Sequence, residues 1–297
     1  MLPFVRPGVR LVALFALLVS VVGTNAAAAA PAPAQAFPSP LRFVSYLDLE
    51  CFPTEPYQPP DTVVVTRHLN PVLADLPREE TRLGEREELC VPVAKDDVFP
   101  PEDVLPFIEY VDLSCYRIEG KAVDFRLKLD HLNPRLAQFP TREVAILHPV
   151  QLCVPVMKNG VKPPDEVRRL VSFIDLKCYV ERPPESLDVQ LTLTHLNPVL
   201  LELGMQQDKV IVTENRQLCV PVQKNDQRIP DEVLRIVQWI DLEKFEVRAE
   251  RLPEPITLEI DHLNPEFAEF PTEKVTLIGA RHLLLPVAKN GEFPPEG

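Results

Sequence analysis

Polar and apolar residues alternate in short runs over most of the chain. Ile174, Leu176, Cys178 and Val180 interleave with Asp175, Lys177 and Tyr179. Phe125, Leu127 and Leu129 interleave with Arg126, Lys128 and Asp130, and Ile256, Leu258 and Ile260 with Thr257, Glu259 and Asp261. A period of two sends successive side chains to opposite faces, so these runs predict half-buried β-strands. Residues 144–147, 210–213 and 275–278 predict a further short strand nearby. The Leu-Cys-Val-Pro-Val runs predict another. Their internal Pro, which has no N–H for a ladder, assigns them to an edge or a bulge. Acidic residues behind Pro230 predict one helical turn over 231–235.

Three motifs recur in a fixed order. His-Leu-Asn-Pro stands four times, with its His at His68, His131, His195 and His262. Leu-Cys-Val-Pro-Val-x-Lys covers Leu89–Lys95, Leu152–Lys158 and Leu218–Lys224, and a degenerate copy covers Leu283–Lys289. Asp-Leu-x-Cys-aromatic covers Asp48–Phe52, Asp112–Tyr116 and Asp175–Tyr179, with Asp241–Phe245 as the copy lacking Cys. One order and one period through four copies divide the chain into units at 41–103, 104–165, 166–231 and 232–297. The expected fold class is all-β: four tandem units of about 64 residues, each a small β-sandwich or barrel. A single four-bladed, propeller-like ring is the alternative, less favoured because blades are usually about 40–50 residues long.

The chain has six Cys, and the repeat limits how they can pair. The first three units each hold one Cys in the Asp-Leu motif and one in the Leu-Cys motif. The fourth has lost both, with Lys244 and Leu284 in their places. Joint loss is what a bond within the unit predicts, giving Cys51–Cys90, Cys115–Cys153 and Cys178–Cys219. Pairing between neighbouring units would strand Cys51 and Cys219. Zinc needs closely spaced Cys pairs, and the sequence has none.

Disulfides call for an oxidising compartment, and the first residues supply an address. Arg6 and Arg10 precede the apolar run 11–22, and an Ala-rich stretch follows. This is the pattern of a secretory signal over 1–36, cleaved between Ala26 and Ala36. No later run is long enough to cross a bilayer as a helix. The expected location is outside the cell or in the periplasm. Cleavage takes the formal net charge from −13 to −15 by removing Arg6 and Arg10. So acidic a chain disfavours nucleic acid and anionic membrane as partners. With 34 Pro and 9 Gly, coiled coil, helical solenoid and collagen are poor fits.

Candidate chemistry is sparse. The four His, with Asp48, Asp112, Asp175 and Asp241, could form a repeated carbohydrate- or metal-binding surface, joined by Phe52, Tyr116, Tyr179 and Phe245. The competing reading is structural: Asn-Pro ends a strand and the His bonds locally. No nucleophile elbow, zinc-protease motif, phosphate loop or calcium loop occurs, so no catalytic residue, resident metal or cofactor is assigned. The combination of Cys-aromatic followed by Leu-Cys-x-Pro-Val-x-Lys resembles a repeat domain of unknown function carried by exported bacterial proteins. That resemblance implies export and repetition and brings no activity. The expected role is non-enzymatic: structural, or binding an extracellular protein or glycan; the carbohydrate- or metal-binding array is the alternative, and a hydrolase is the least favoured reading.

Overall fold

Strands form where the alternation predicts them, and they close on one another. The computed structural model describes residues 36–133 and 140–296, so the expected signal segment, apart from Ala36, lies outside the described residues. The first stretch contains α1 (Pro40–Ser45), β1 (Asp48–Tyr57), β2 (Val63–His68), β3 (Glu79–Arg82) and β4 (Arg86–Lys95). The second contains α2 (Leu105–Ile108), β5 (Asp112–Arg117), β6 (Phe125–His131) and β7 (Arg142–Lys158). The third contains α3 (Asp165–Val171), β8 (Leu176–Arg182), β9 (Ser186–His195), α4 (Pro198–Glu202) and β10 (Gln207–Lys224). The fourth contains α5 (Asp231–Val237), β11 (Leu242–Ala249), β12 (Ile256–His262), β13 (Glu273–Leu277) and β14 (His282–Lys289). In the second and third stretches, the two strands expected after the turn merge into single long ones, β7 and β10.

The chain is all-β in its core, but it is not a row of beads. Eight strands form one closed antiparallel wall in the order β1-β4-β5-β7-β8-β10-β11-β14, and β14 returns to β1. The described residues form one compact unit. Neither separate modules nor four radial blades describe it. The physical reason is shared burial: a unit of about 64 residues buries only some 60% of its unfolded surface alone, whereas the common barrel gives every stretch one interior.

That interior is built in layers fixed by register. Leu49 opposes Pro92, Leu113 opposes Pro155, Leu176 opposes Pro221 and Leu242 opposes Pro286. Above them lie the pairs Cys51–Cys90, Cys115–Cys153 and Cys178–Cys219, all three bonded as the repeat predicts. Lys244 opposite Leu284 completes this layer. The sulfurs of adjacent bridges approach to 3.8 Å (Cys90 to Cys115) and 3.9 Å (Cys153 to Cys178). Helices α1, α2, α3 and α5 precede the inner strands and pack Val44, Phe107, Leu170 and Ile236 against the Leu and Cys layers, closing that end.

The Pro of Leu-Cys-Val-Pro-Val sits inside the wall, not on an edge or at a bulge. It marks where each strand changes partner. Beyond Pro92, β4 pairs with β9; beyond Pro155, β7 pairs with β12; beyond Pro221, β10 pairs with β2; and beyond Pro286, β14 pairs with β6. At the switch, the Pro carbonyl accepts from the Leu N–H of a His-Leu-Asn-Pro motif: Leu196 to Pro92 at 3.0 Å and Leu263 to Pro155 at 2.9 Å, with Leu69 and Leu132 doing likewise. A missing N–H does no harm where the ladder is interrupted. Each outer hairpin therefore lies on the stretch two places along the chain. Four satellite clusters of apolar side chains fill the space between hairpins and barrel.

Candidate functional site

The four Asp of the inner strands are buried in ion pairs. Asp48 meets Lys95, Asp112 meets Lys158, Asp175 meets Lys224 and Asp241 meets Lys289, and none of these side chains is more than 4% exposed. Burial raises each Asp pKa and lowers each Lys pKa, and the partner charge pushes back in both cases. Each carboxylate also accepts from the Asn of His-Leu-Asn-Pro in the next stretch, on the oxygen not facing Lys in Asp112, Asp175 and Asp241 and on the Lys-facing oxygen in Asp48. The distances are 3.0 Å for Asn133 to Asp48, 2.8 Å for Asn197 to Asp112, 3.0 Å for Asn264 to Asp175 and 2.8 Å for Asn70 to Asp241. The last contact joins the first stretch to the fourth. Asn70, Asn197 and Asn264 also accept with Oδ1 from the backbone N–H two residues on, capping the turn that the following Pro opens.

The four His lie elsewhere, between barrel and hairpins. Each packs on the aromatic of the stretch two away: His68 on Tyr179, His131 on Phe245, His195 on Phe52 and His262 on Tyr116, with ring centroids between 5.8 and 6.1 Å apart. His68 Nε2 is 2.9 Å from Tyr179 Oη, and His262 Nε2 is 3.1 Å from Tyr116 Oη. Burial, with Lys177 adding to it, lowers the His68 pKa to about 4; burial and then Arg142 do the same for His131, also to about 4. Burial, reinforced by Glu273 and Glu79 respectively, raises the Tyr116 and Tyr179 hydroxyls.

Each His pocket also holds an acid, buried in all but the His68 pocket, where Glu79 is 15% exposed, and three of the pockets supply its counter-charge. Glu79 pairs with Lys177, Glu273 with Arg86, and Glu243 with Arg142. In the fourth, His195 Nε2 lies 3.0 Å from Asp208 Oδ2 and 3.4 Å from Glu50 Oε2.

The barrel end opposite the helices opens into a polar mouth of about 570 Å³. Its floor follows from register: above the Cys layer, Pro53 opposes Glu88, Arg117 opposes Gln151, Val180 opposes Gln217 and Glu246 opposes His282. Lys244, standing where other stretches carry Cys, reaches Glu88 and donates to Gln151 Oε1 at 2.8 Å. Glu88 also contacts His282 Nδ1. Burial alone would raise Glu88, but Lys244 and His282 outweigh it and hold the carboxyl well below its usual range. Burial, then Lys244, lowers His282. Gln151 donates to Glu87 at 2.7 Å. On the rim, Arg117 pairs with Glu87 at 2.8 Å and Arg216 with Glu246, to which its Nε donates at 3.0 Å. Asn215 donates to Glu181 at 2.7 Å, a carboxyl that burial raises to about 7.

The expected grouping of His with Asp48, Asp112, Asp175 and Asp241 on an exposed surface is not what the fold builds. The Asp are satisfied by Lys and Asn, and the His by aromatics and other acids, all in the interior. The missed partner had a visible signal: Lys95, Lys158, Lys224 and Lys289 recur as regularly as the Asp, with opposite charge, beside an apolar run. The mouth had a fainter one, in the substitution of Lys244 for Cys. Comparison with protein-family models, with curated proteins and with solved structures finds no match.

Proposed function

We propose that the protein is exported, and that it binds an extracellular partner at the barrel mouth without transforming it. The observation that carries this reading is the asymmetry of the barrel. One end is sealed by four helices, and the other opens on a charged cavity lined from all four stretches. Three disulfides around the waist suit a chain working where thiols oxidise. Among the described residues, no helix is long and apolar enough to cross a membrane.

The lining favours a charged protein segment as occupant. Arg117 and Arg216 stand on the rim about half exposed, each beside a carboxylate it can exchange for a ligand carboxylate. The lining has Pro53, Pro56 and Val180 and, among the described residues, no Phe, Tyr or Trp on which a sugar ring would stack. The floor groups are already paired with each other, which suits recognition better than proton transfer.

The test is binding of the disulfide-intact chain to peptide and glycan arrays, repeated with Arg117→Ala/Arg216→Ala. Acidic peptides should bind and lose at least about tenfold in affinity in the variant, as expected for removing charge-assisted hydrogen bonds. Binding to glycans alone, or binding that the double variant leaves untouched, refutes the assignment of the mouth.

A further inference from the structure

The four His pockets are built alike but differ in charge, and the difference singles one out. Three carry a Lys or Arg against the acid. The pocket of Glu50, His195 and Asp208 carries two carboxylates, and among the described residues neither has a Lys or Arg partner. Glu50 is fully buried, and neither of its oxygens has a hydrogen-bond donor. A buried carboxylate with no donor and no permanent cation beside it is expensive to keep ionised, and a bound cation removes that cost.

We propose that this pocket binds one divalent transition-metal cation, Zn²⁺ being the reference ion, through Glu50, His195 Nε2 and Asp208. The metal takes the place that Lys177, Arg86 and Arg142 hold in the sister pockets.

Geometry supports the assignment. One ligand atom from each residue lies within 4.8 Å of the others. Ligands at about 2.0–2.1 Å around a tetrahedral ion stand roughly 3.3 Å apart. The imidazole-to-carboxylate distances of 3.0 and 3.4 Å bracket that spacing. Two carboxylates and an imidazole form a hard-to-borderline set suited to Zn²⁺ or Mn²⁺. Access exists as well: Asp208 is 24% exposed and lines a surface groove of about 600 Å³ with Met205, Gln206 and Leu252. Glu50 forms the closed floor and Asp208 the side open to water, which leaves room for a solvent ligand. Phe52 packs on the His195 ring and fixes its orientation. This site lies on the outside of the barrel wall and is independent of the mouth.

The experiment is a titration of the disulfide-intact chain, stripped of metal with EDTA and dialysed, with Zn²⁺ and separately with Mn²⁺, followed by calorimetry. One Zn²⁺ should bind per chain, raise Tm by mass action and shift the His195 Nε2 resonance in ¹⁵N NMR. Glu50→Gln and Asp208→Asn should each weaken binding by about 100-fold or more, since each removes a direct ligand where even outer-shell losses cost 10–100-fold. Glu254→Gln, on the rim of the same groove, should leave affinity within about twofold. Glu50→Gln is isosteric and removes a buried carboxyl that has no hydrogen-bond donor, so the metal-free variant should unfold no earlier than wild type; Asp208→Asn, at a partly exposed position, provides a second test that does not depend on the core. The proposal is overturned if neither ion binds more tightly than it does to the Glu50→Gln chain, or if binding survives both substitutions.

Discussion

Lys158→Met isolates the buried ion pairs. Lys158 is fully buried and Asp112 is 3% exposed, so the substitution fills the same space and leaves a carboxylate in the wall with only Asn197 for company. Removing one partner of such a pair typically costs about 3–5 kcal/mol. A second route to the magnitude gives a ceiling. Asp112 can escape its unpaired charge by taking up a proton. At pH 7, from an ordinary value of 3.8, that costs about 1.36 kcal/mol per pH unit, or roughly 4 kcal/mol. The penalty should therefore be about 4 kcal/mol at pH 7 and shrink by about 1.4 kcal/mol per unit as pH falls, nearly vanishing at pH 4. Adding Asp112→Asn removes the charge but keeps an acceptor for Asn197, so the double variant should recover most of the loss, to within about 1.5 kcal/mol of wild type. The assay is guanidinium unfolding with disulfides intact, followed by Trp239 fluorescence at pH 7, 6 and 5, as a double-mutant cycle. A single-variant loss under about 1 kcal/mol, or one independent of pH, would refute the reasoning, because the pair would then be solvated or only sterically important.

Other outcomes follow from the same layers. Cys115→Ala/Cys153→Ala opens a loop with a separation of 38 residues, and chain entropy puts the loss at about 4 kcal/mol by chemical denaturation. Lys244→Cys/Leu284→Cys places two thiols at directly paired positions, so a fourth bridge should form and be visible by mass mapping. It also strips Glu88 of its ammonium, so Glu88→Gln should stabilise that variant further. His68 has a folded pKa of about 4 against 6.5 unfolded, so its neutral form belongs to the folded state. Its contribution is complete above pH 6.5 and is lost as pH falls toward 4, by about 3 kcal/mol. Glu181, raised to about 7, works in the opposite sense and gains folded-state protons from pH 7 downward. Urea midpoints at pH 7 and 4 should accordingly differ less in His68→Asn, and more in Glu181→Gln, than in wild type.

What could be read from the chain was whatever closes locally. The inner strands, the hairpins, the helical turn behind Pro230 and the three Cys pairs all join residues within one stretch, so periodicity and the joint loss at Lys244 and Leu284 were enough. The partner of each hairpin was not legible. A period of two says that a face is apolar, not which apolar surface will cover it. One clue pointed away from beads: Leu89, Val91 and Val93 face outward while Cys90 faces inward, and all four are buried. A strand apolar on both faces is covered on both, which neither an edge strand nor a two-layer module provides. The His pockets and the mouth were hidden for the same reason, since their members come from stretches that meet only after closure. Even so, the position of Glu50 stood out in the sequence: its counterparts are Ser114, Lys177 and Glu243, so the residue between Leu and Cys changes charge from copy to copy.

Because every hairpin is laid on the stretch two places along, neither half of the chain can finish itself. The first and second stretches carry the hairpins that the third and fourth need, and the reverse holds too. A half-length fragment would find its missing complement only in a twin. Two such fragments weaving the same eight-stranded wall would supply each other's hairpins, so folding of the half should depend on its concentration while folding of the whole does not. The duplication thus turns what could have been an assembly of two molecules into a property of one.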